Sequence, residues 1–284
     1  MQFKSVAYSI DIKLKIYITH FNVQPRPFCC YPFICADASF VAFILIFDFF
    51  FRSNFLFKMP GMLLGQVVPN FDAETSEGKI NFHEWLATPL PGREKSWTVM
   101  VSHPADFTPV CTTELGGLQK ASTEFFKRNV KLIAMSCDDV ESHIGWIKDI
   151  KSYNSLDSFS YPIIADPKRV VANLYGMMDP DEVDAKGLPL TCRAVFVIDE
   201  NKKLKLSILY PATTGRNVPE ILRVIDSLKL TVEKKVATPV NWKDGDKCMV
   251  IPSVKPDEAK ILFPEHKVTQ VPSGKEYLRL TPQP

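Results

Sequence analysis

No Cys-x-x-Cys pair occurs anywhere in the 284 residues, although the chain has seven cysteines, at 29, 30, 35, 111, 137, 192 and 248. That absence argues against a zinc ribbon and against a thioredoxin-type dithiol. The five histidines never stand at metal-ligand spacing from a cysteine or carboxylate, so no metal site is expected. There is no Gly-x-x-x-x-Gly-Lys loop to cradle phosphates. A net charge of +2, from 34 Lys and Arg against 32 Asp and Glu, lacks the basic excess of a nucleic-acid binder. With 46% apolar and 23% charged residues, a disordered chain is also excluded. The wide cysteine spacing is unlike a secreted disulfide scaffold, so a reducing, cytoplasmic setting is the expectation, with any special cysteine acting singly.

Residues 1–58 lack Gly, Glu and Trp altogether, yet hold 12 of the 20 Phe and 6 Lys and Arg against 3 Asp. Their most apolar run, 39–51, is broken by Asp48 and stopped by Arg52. It falls short of the roughly 20 apolar residues that span a bilayer, and no small-residue cleavage site follows it. The segment is read as an atypical leader outside the folded protein, which would start at Met59 or Met62. A membrane anchor and a targeting segment are the alternatives.

From Ser96 onward strands and helices alternate. Strands are expected at 97–102, 130–136, 161–164, 193–198 and 204–210, the last two flanking the turn-like cluster 199–203. Helices are expected at 109–128, despite Gly116 and Gly117, at 139–152 behind Asp138 and Asp139, at 167–175, and at 218–229 opening with Asn217 and Pro219. In the second of these, Val140, Ile144, Ile147 and Ile150 mark the apolar face. The order βαβα, hairpin, helix is that of an α/β, thioredoxin-like domain over 62–230. Residues 231–284 carry seven prolines and room for one short helix near 256–262. They are expected to form a poor core alone and to pack on the main domain or on a second subunit.

The richest passage is 103–114, His-Pro-Ala-Asp-Phe-Thr-Pro-Val-Cys-Thr-Thr-Glu. It follows a strand and opens a helix, where α/β proteins place ligands. Thr108 reads as the N-cap and Pro109 as the first helical residue, which puts Cys111 at the third. Unsatisfied backbone N–H groups and the helix dipole favour a thiolate there, the form that attacks electrophiles. Spacing alone equally permits a buried structural cysteine.

Pro104-x-x-x-Thr108-x-x-Cys111 matches the peroxidatic motif of peroxiredoxins, and 107–114 resembles that of the 1-Cys peroxiredoxins of the peroxiredoxin-6 type, within the AhpC/TSA family. The resemblance runs over 59–284, including 128–134, 203–216 and the 280–284 end, and leaves out 1–58. It implies a thioredoxin-like fold with a small C-terminal peroxiredoxin extension over 231–284. It also implies a peroxidase in which Cys111 attacks a peroxide oxygen and becomes a sulfenic acid. Thr108 would orient sulfur and oxygen, Pro104 would shield the thiolate, Arg193 would hold thiolate and peroxide, and His103 would stand beside the pocket. A Val-Cys-Pro resolving context is absent. Cys248 reads as a packing residue, and Cys137 and Cys192 as strand-end core positions. The resemblance therefore implies no bound cofactor and an external thiol reductant, glutathione supplied through a glutathione transferase. The expected substrates are hydrogen peroxide and organic, including phospholipid, hydroperoxides, and the expected assembly is a homodimer. Membrane contact is expected only with lipid hydroperoxides or a genuine leader.

Relatives of this type are also associated with a phospholipase A2 activity, whose His and Ser match His83 and Ser96. Both glycines of Gly-x-Ser-x-Gly are missing here, 87–93 looks inserted, and Asn201 stands at the Asp position with Asp199 two residues before it. An amide cannot stabilise an imidazolium as a carboxylate does, so lipase activity is not expected. The non-enzymatic alternative is a redox-sensitive holdase.

Overall fold

The computed structural model describes residues 61–284; the readings made on the leader and its apolar run lie outside the described residues. A hairpin of β1 (Asp72–Thr75) and β2 (Gly78–Asn81) opens the fold and runs into α1 (Phe82–Ala87), capped by the Asn81 side chain. Then follow β3 (Trp97–Ser102), α2 (Pro109–Lys120), α3 (Ser122–Lys127), β4 (Val130–Ser136), α4 (Val140–Asn154), β5 (Ile163–Ala165) and α5 (Val170–Leu174). A small hairpin, β6 (Met178–Val183) with β7 (Pro189–Thr191), precedes β8 (Arg193–Ile198), β9 (Leu204–Tyr210) and α6 (Val218–Glu233). The seven-stranded sheet has the order β2-β1-β5-β4-β3-β8-β9, with β3, β4 and β5 mutually parallel and the other pairs antiparallel.

The central strands are buried along their whole length because both sheet faces are covered, which turns the usual alternation into a continuous apolar run. Period-2 alternation still sorts the side chains. Val99, Val101, Leu132, Ala134, Val195 and Val197 meet α2, α4 and α6, while Met100, Ile133, Met135, Ala194 and Phe196 meet α1 and α5. Among the described residues no helix is long and apolar enough to cross a membrane.

Three expectations change. The helix expected over 109–128 is two helices, with Ala121 leaving helical geometry at φ −86°, ψ 0°. Helix α4 buries His143, Trp146, Ile150 and Asn154, and Ile144 is exposed, so its inner face is rotated from the aliphatic stripe. The C-terminal segment builds a core of its own. Strands β10 (Val236–Ala237), β11 (Cys248–Val250), β12 (Lys267–Val268) and β13 (Arg279–Thr281) form a second sheet beside α7 (Pro256–Leu262). Between them Trp242, Cys248, Val250, Val254 and Phe263 are buried, and Leu230 of α6 packs against the cluster.

Candidate functional site

The site forms where β3 ends and α2 begins. Register sets it up: Val101 pairs with Val195, and the Ser102 hydroxyl donates to the Cys192 carbonyl at 2.6 Å and accepts from the Ala194 N–H at 3.0 Å. This clasp holds Arg193, the first residue of β8, alongside the chain leaving β3. After His103 the loop turns through Phe107, whose φ of 53° lies in the left-handed region that a bulky residue enters only when its surroundings hold it there. Thr108 is extended and caps α2 by position, with Pro109 at the first helical residue and Cys111 at the third.

Cys111 has 0% exposure. Arg193 Nη1 lies 3.2 Å from its sulfur and 2.7 Å from Glu114 Oε2, while Arg193 Nε and Nη2 both donate to the Ala212 carbonyl, at 2.9 and 2.6 Å. The guanidinium is thus fixed by a carboxylate and a carbonyl, and the same Nη1 that reaches Glu114 meets the sulfur. A second guanidinium, Arg216, grips Glu114 through Nη2 at 2.8 Å and Nε at 3.1 Å, and its backbone N–H donates at 2.6 Å. Its Nη1 donates to the carbonyls of Ser102 and Ala194, each at 2.9 Å. Burial works against the Glu114 carboxylate, but Arg216 and then Arg193 outweigh it and hold its pKa below the ordinary value. Two buried cations against one carboxylate leave a net positive charge beside the sulfur.

The sequence-predicted residues fall as follows. Pro104 is buried in the same loop. The Thr108 hydroxyl donates to the Ala105 carbonyl at 2.9 Å rather than capping the helix, which leaves its lone pairs free to accept. His103, expected beside the pocket, is fully buried; its Nε2 lies 2.8 Å from Asp106 Oδ1, and its ring packs 4.9 Å from that of Trp146. Ser96 and His83 do not meet in a nucleophile–base pair. Ser96 Oγ donates to Asn129 Oδ1 at 2.7 Å and accepts from the Leu90 N–H, whereas His83 Nε2 faces the Val68 carbonyl at 2.7 Å. The Asn201 N–H donates to Asp199 Oδ1, which serves the β8–β9 turn. Cys137, Cys192 and Cys248 are buried and free. Burial pushes the first two thiols up to about 11 and raises the third, away from the thiolate state.

Glu114 and Arg216 escaped the sequence reading of the site. Glu114 stands one helical turn after Cys111 on the same face, so an i, i+3 search for a carboxylate beside the nucleophile would have found it. Arg216 lies 102 positions from Glu114 and carries no local signal. Around the first turn of α2 a groove of about 450 Å³ is lined by Phe107, Thr108, Val110, Trp146, Asp149 and Tyr153, among others.

Comparison with known proteins gives a consistent result. The model of the AhpC/TSA family matches residues 64–207, and that of the C-terminal domain of 1-Cys peroxiredoxin matches 227–265. Peroxiredoxin-6 of Homo sapiens is 58% identical over 231 residues, which cover 80% of this chain and all of that protein; the Gallus gallus protein is 57% identical over 230. Among solved structures, a cysteine-to-serine mutant of the peroxiredoxin 6 of Arenicola marina superimposes with a TM-score of 0.75 at 58% identity, over 79% of this chain and 99% of that one. A yeast mitochondrial 1-Cys peroxiredoxin, studied for thiol resolution through glutathione and thioredoxin systems, gives 0.68 at 45% identity, over 78% and 99%.

Proposed function

The chain belongs to the AhpC/TSA family, and on that premise we propose that Cys111 is its single peroxidatic cysteine, oxidised to a sulfenic acid and restored by an external thiol such as glutathione. As a peroxiredoxin it is an antioxidant oxidoreductase that reduces peroxides. One observation carries the residue assignment: the Cys111 sulfur sits 3.2 Å from a guanidinium in the first turn of a helix, shut off from solvent.

The chemistry follows from that placement. The sulfur attacks one peroxide oxygen, the O–O bond breaks, and charge develops on the leaving oxygen, where the Arg193 guanidinium and the N–H groups of α2 stabilise it. The Thr108 hydroxyl, anchored on Ala105, accepts a hydrogen bond from the incoming peroxide, and Pro104 keeps water from the thiolate. A thiol then attacks the sulfenic acid, releasing water and leaving a mixed disulfide, and a second thiol frees Cys111. The three other described cysteines are poor resolving partners, because burial disfavours each thiolate. Thiol resolution through glutathione and thioredoxin systems in the yeast relative supports the same class of donor here. Glutathione supplied by a glutathione transferase is the donor proposed.

The apolar and aromatic lining of the 450 Å³ groove suits the organic part of alkyl and phospholipid hydroperoxides. Strand β9 forms one edge of the large sheet with Leu209 exposed, a surface suited to a homodimer. Four free thiols among the described residues suit the cytoplasm.

Peroxide consumption at stoichiometric external thiol tests the reading. Cys111→Ser is expected to abolish turnover, while Cys137→Ser and Cys248→Ser keep it; the opposite pattern overturns the assignment. Absence of turnover in the unmodified protein, with protection of an aggregating client, would favour the holdase instead.

A further inference from the structure

A second cavity, of about 500 Å³, shares no lining residue with the groove at α2. It lies beside the first half of β4, and its walls include Trp85 of α1, Leu90, Phe126 of α3 and Tyr161. The loop 87–93 closes one side. Its Leu90 N–H is held by Ser96 Oγ at 3.0 Å, and Arg93 lies 5.9 Å over the Phe126 ring. Strand register leaves a gap in this place. β4 and β5 pair only from Ala134 and Ile163 onward, and the Ala134 N–H donates to the Pro162 carbonyl at 2.9 Å. The Trp97 N–H donates to the Asn129 carbonyl at 3.1 Å, so by alternation Lys131 and Ile133 bond to β3, and Val130 and Leu132 face the β5 side. The next donor on that side would be residue 162, a proline, which has no N–H. The N–H and C=O of Leu132, a residue 8% exposed, therefore have no partner among the described residues. Buried peptide groups seldom stay unpaired.

The same wall holds a cation. Lys131 is buried, and its Nζ lies 3.9 Å from the centroid of the Trp85 ring. The ammonium donates to the carbonyls of Trp85, Leu86 and Thr88, the last at 2.6 Å. These carbonyls solvate it but bring no net charge. No charged neighbour offsets its burial, which lowers its pKa to about 8. Glu77, the one carboxylate of the lining, is exposed.

We propose that this cavity binds a small N-acyl amino acid: its amide pairs with the free N–H and C=O of Leu132, its acyl chain lies among the aromatic walls, and its carboxylate faces Lys131. Each part of the ligand answers one feature. A secondary amide offers one donor and one acceptor, the complement of one residue on a strand edge. Walls of Trp85, Phe126 and Tyr161 suit an apolar chain or ring. An ammonium whose protons already go to carbonyls attracts a carboxylate through its charge rather than by a direct hydrogen bond. Arg93, over Phe126, adds to the positive field. Binding is non-covalent and makes no use of Cys111, so failure of this inference would leave the peroxidase reading untouched.

The test titrates the full chain with N-hexanoyl-phenylalanine, its methyl ester and its N-methylated analogue, by calorimetry and by ¹H–¹⁵N spectra. The acid is expected to bind and to shift the Leu132 amide resonance more than those of Lys131 and Ile133, whose N–H groups are engaged with β3. N-methylation removes the ligand's donor and should weaken binding on the order of tenfold. The ester should bind about three- to tenfold more weakly than the acid. Lys131→Met should erase the preference for the acid and leave the affinity for the ester unchanged. No binding at millimolar acid, binding without a Leu132 shift, or a preference that survives Lys131→Met overturns the proposal. Should that variant fail to fold, ¹³C-lysine labelling of the wild type decides the same point. Bound acid should raise the Lys131 pKa and bound ester should not; an equal effect of the two counts against the site.

Discussion

Replacing Arg193 by Met removes the charge that faces the sulfur while keeping much of the side-chain volume. At 3.2 Å and an effective dielectric constant of about 20, the gross attraction between guanidinium and thiolate is about 5 kcal/mol. Only the part that grows as charge moves to the leaving oxygen accelerates the reaction. Loss of one preorganised donor of this kind costs about 2.7–4 kcal/mol of barrier, or about 10²–10³ in rate. The stability cost should be smaller than the roughly 3–5 kcal/mol of a severed buried ion pair, because Arg216 still makes three bonds to Glu114. Stopped-flow fluorescence can follow the second-order oxidation of Cys111 by hydrogen peroxide, with Trp146 close enough to report it. Arg216→Met is the matched comparison. It leaves the sulfur contact intact but strips Glu114 of its main partner and the Ser102 and Ala194 carbonyls of a donor, so its principal loss should be stability, about 3–5 kcal/mol by urea titration. If Arg193→Met reacts within about threefold of wild type, or if Arg216→Met is the slower of the two, the division of labour between the guanidiniums is wrong.

Glu114→Gln should be less stable than wild type at pH 7 and should lose less on acidification. The folded carboxyl titrates below its ordinary 4.5, so its contribution is present above that value and disappears as pH falls through the lower folded one. Parallel stability curves from pH 7 to pH 3 would contradict this. A Cβ at Gly116 would lie 2.0 Å from Asn154 Nδ2, which is held by the carbonyls of Thr112 and Ile150. Gly116→Ala should therefore destabilise by about 1–3 kcal/mol. A Cβ at Gly117 would meet only Val218 at 3.9 Å, so Gly117→Ala should gain about 0.5–1 kcal/mol of helix propensity; equal melting shifts for the two would refute the packing account. With Ser96 and His83 engaged elsewhere, phosphatidylcholine liposomes should not be hydrolysed, and turnover abolished by Ser96→Ala would refute that.

Local signals were read well where one residue type has one physical use. Asn217 before Pro219 and Asp139 before Val140 both cap helices through their side chains, as the sequence indicates. The Thr108-Pro109 start set Cys111 at the third helical position without any tertiary information. Periodicity misled at α4, because counting aliphatic residues put Ile144 inward, whereas the inner face carries His143, whose ring is buried against Asp106. A polar residue gives no apolar signal even when its partners lie 37 positions away. The C-terminal segment misled for a related reason. Its strands are two or three residues long, too short for alternation to register, and they close around Trp242 only through pairings between distant positions. The break at Ala121 had no sequence signal, since neither Ala121 nor Ser122 is a helix breaker.

The complete enclosure of Cys111 turns access into a clock. On the function proposed above, a small peroxide and a thiol donor face unequal demands at that sulfur, because the donor has to bring a second sulfur into line with one held in the first turn of α2 against Arg193. The expected outcome is that the thiol step is the slower of the two, so that under steady peroxide the oxidised fraction should follow the ratio of peroxide supply to thiol supply.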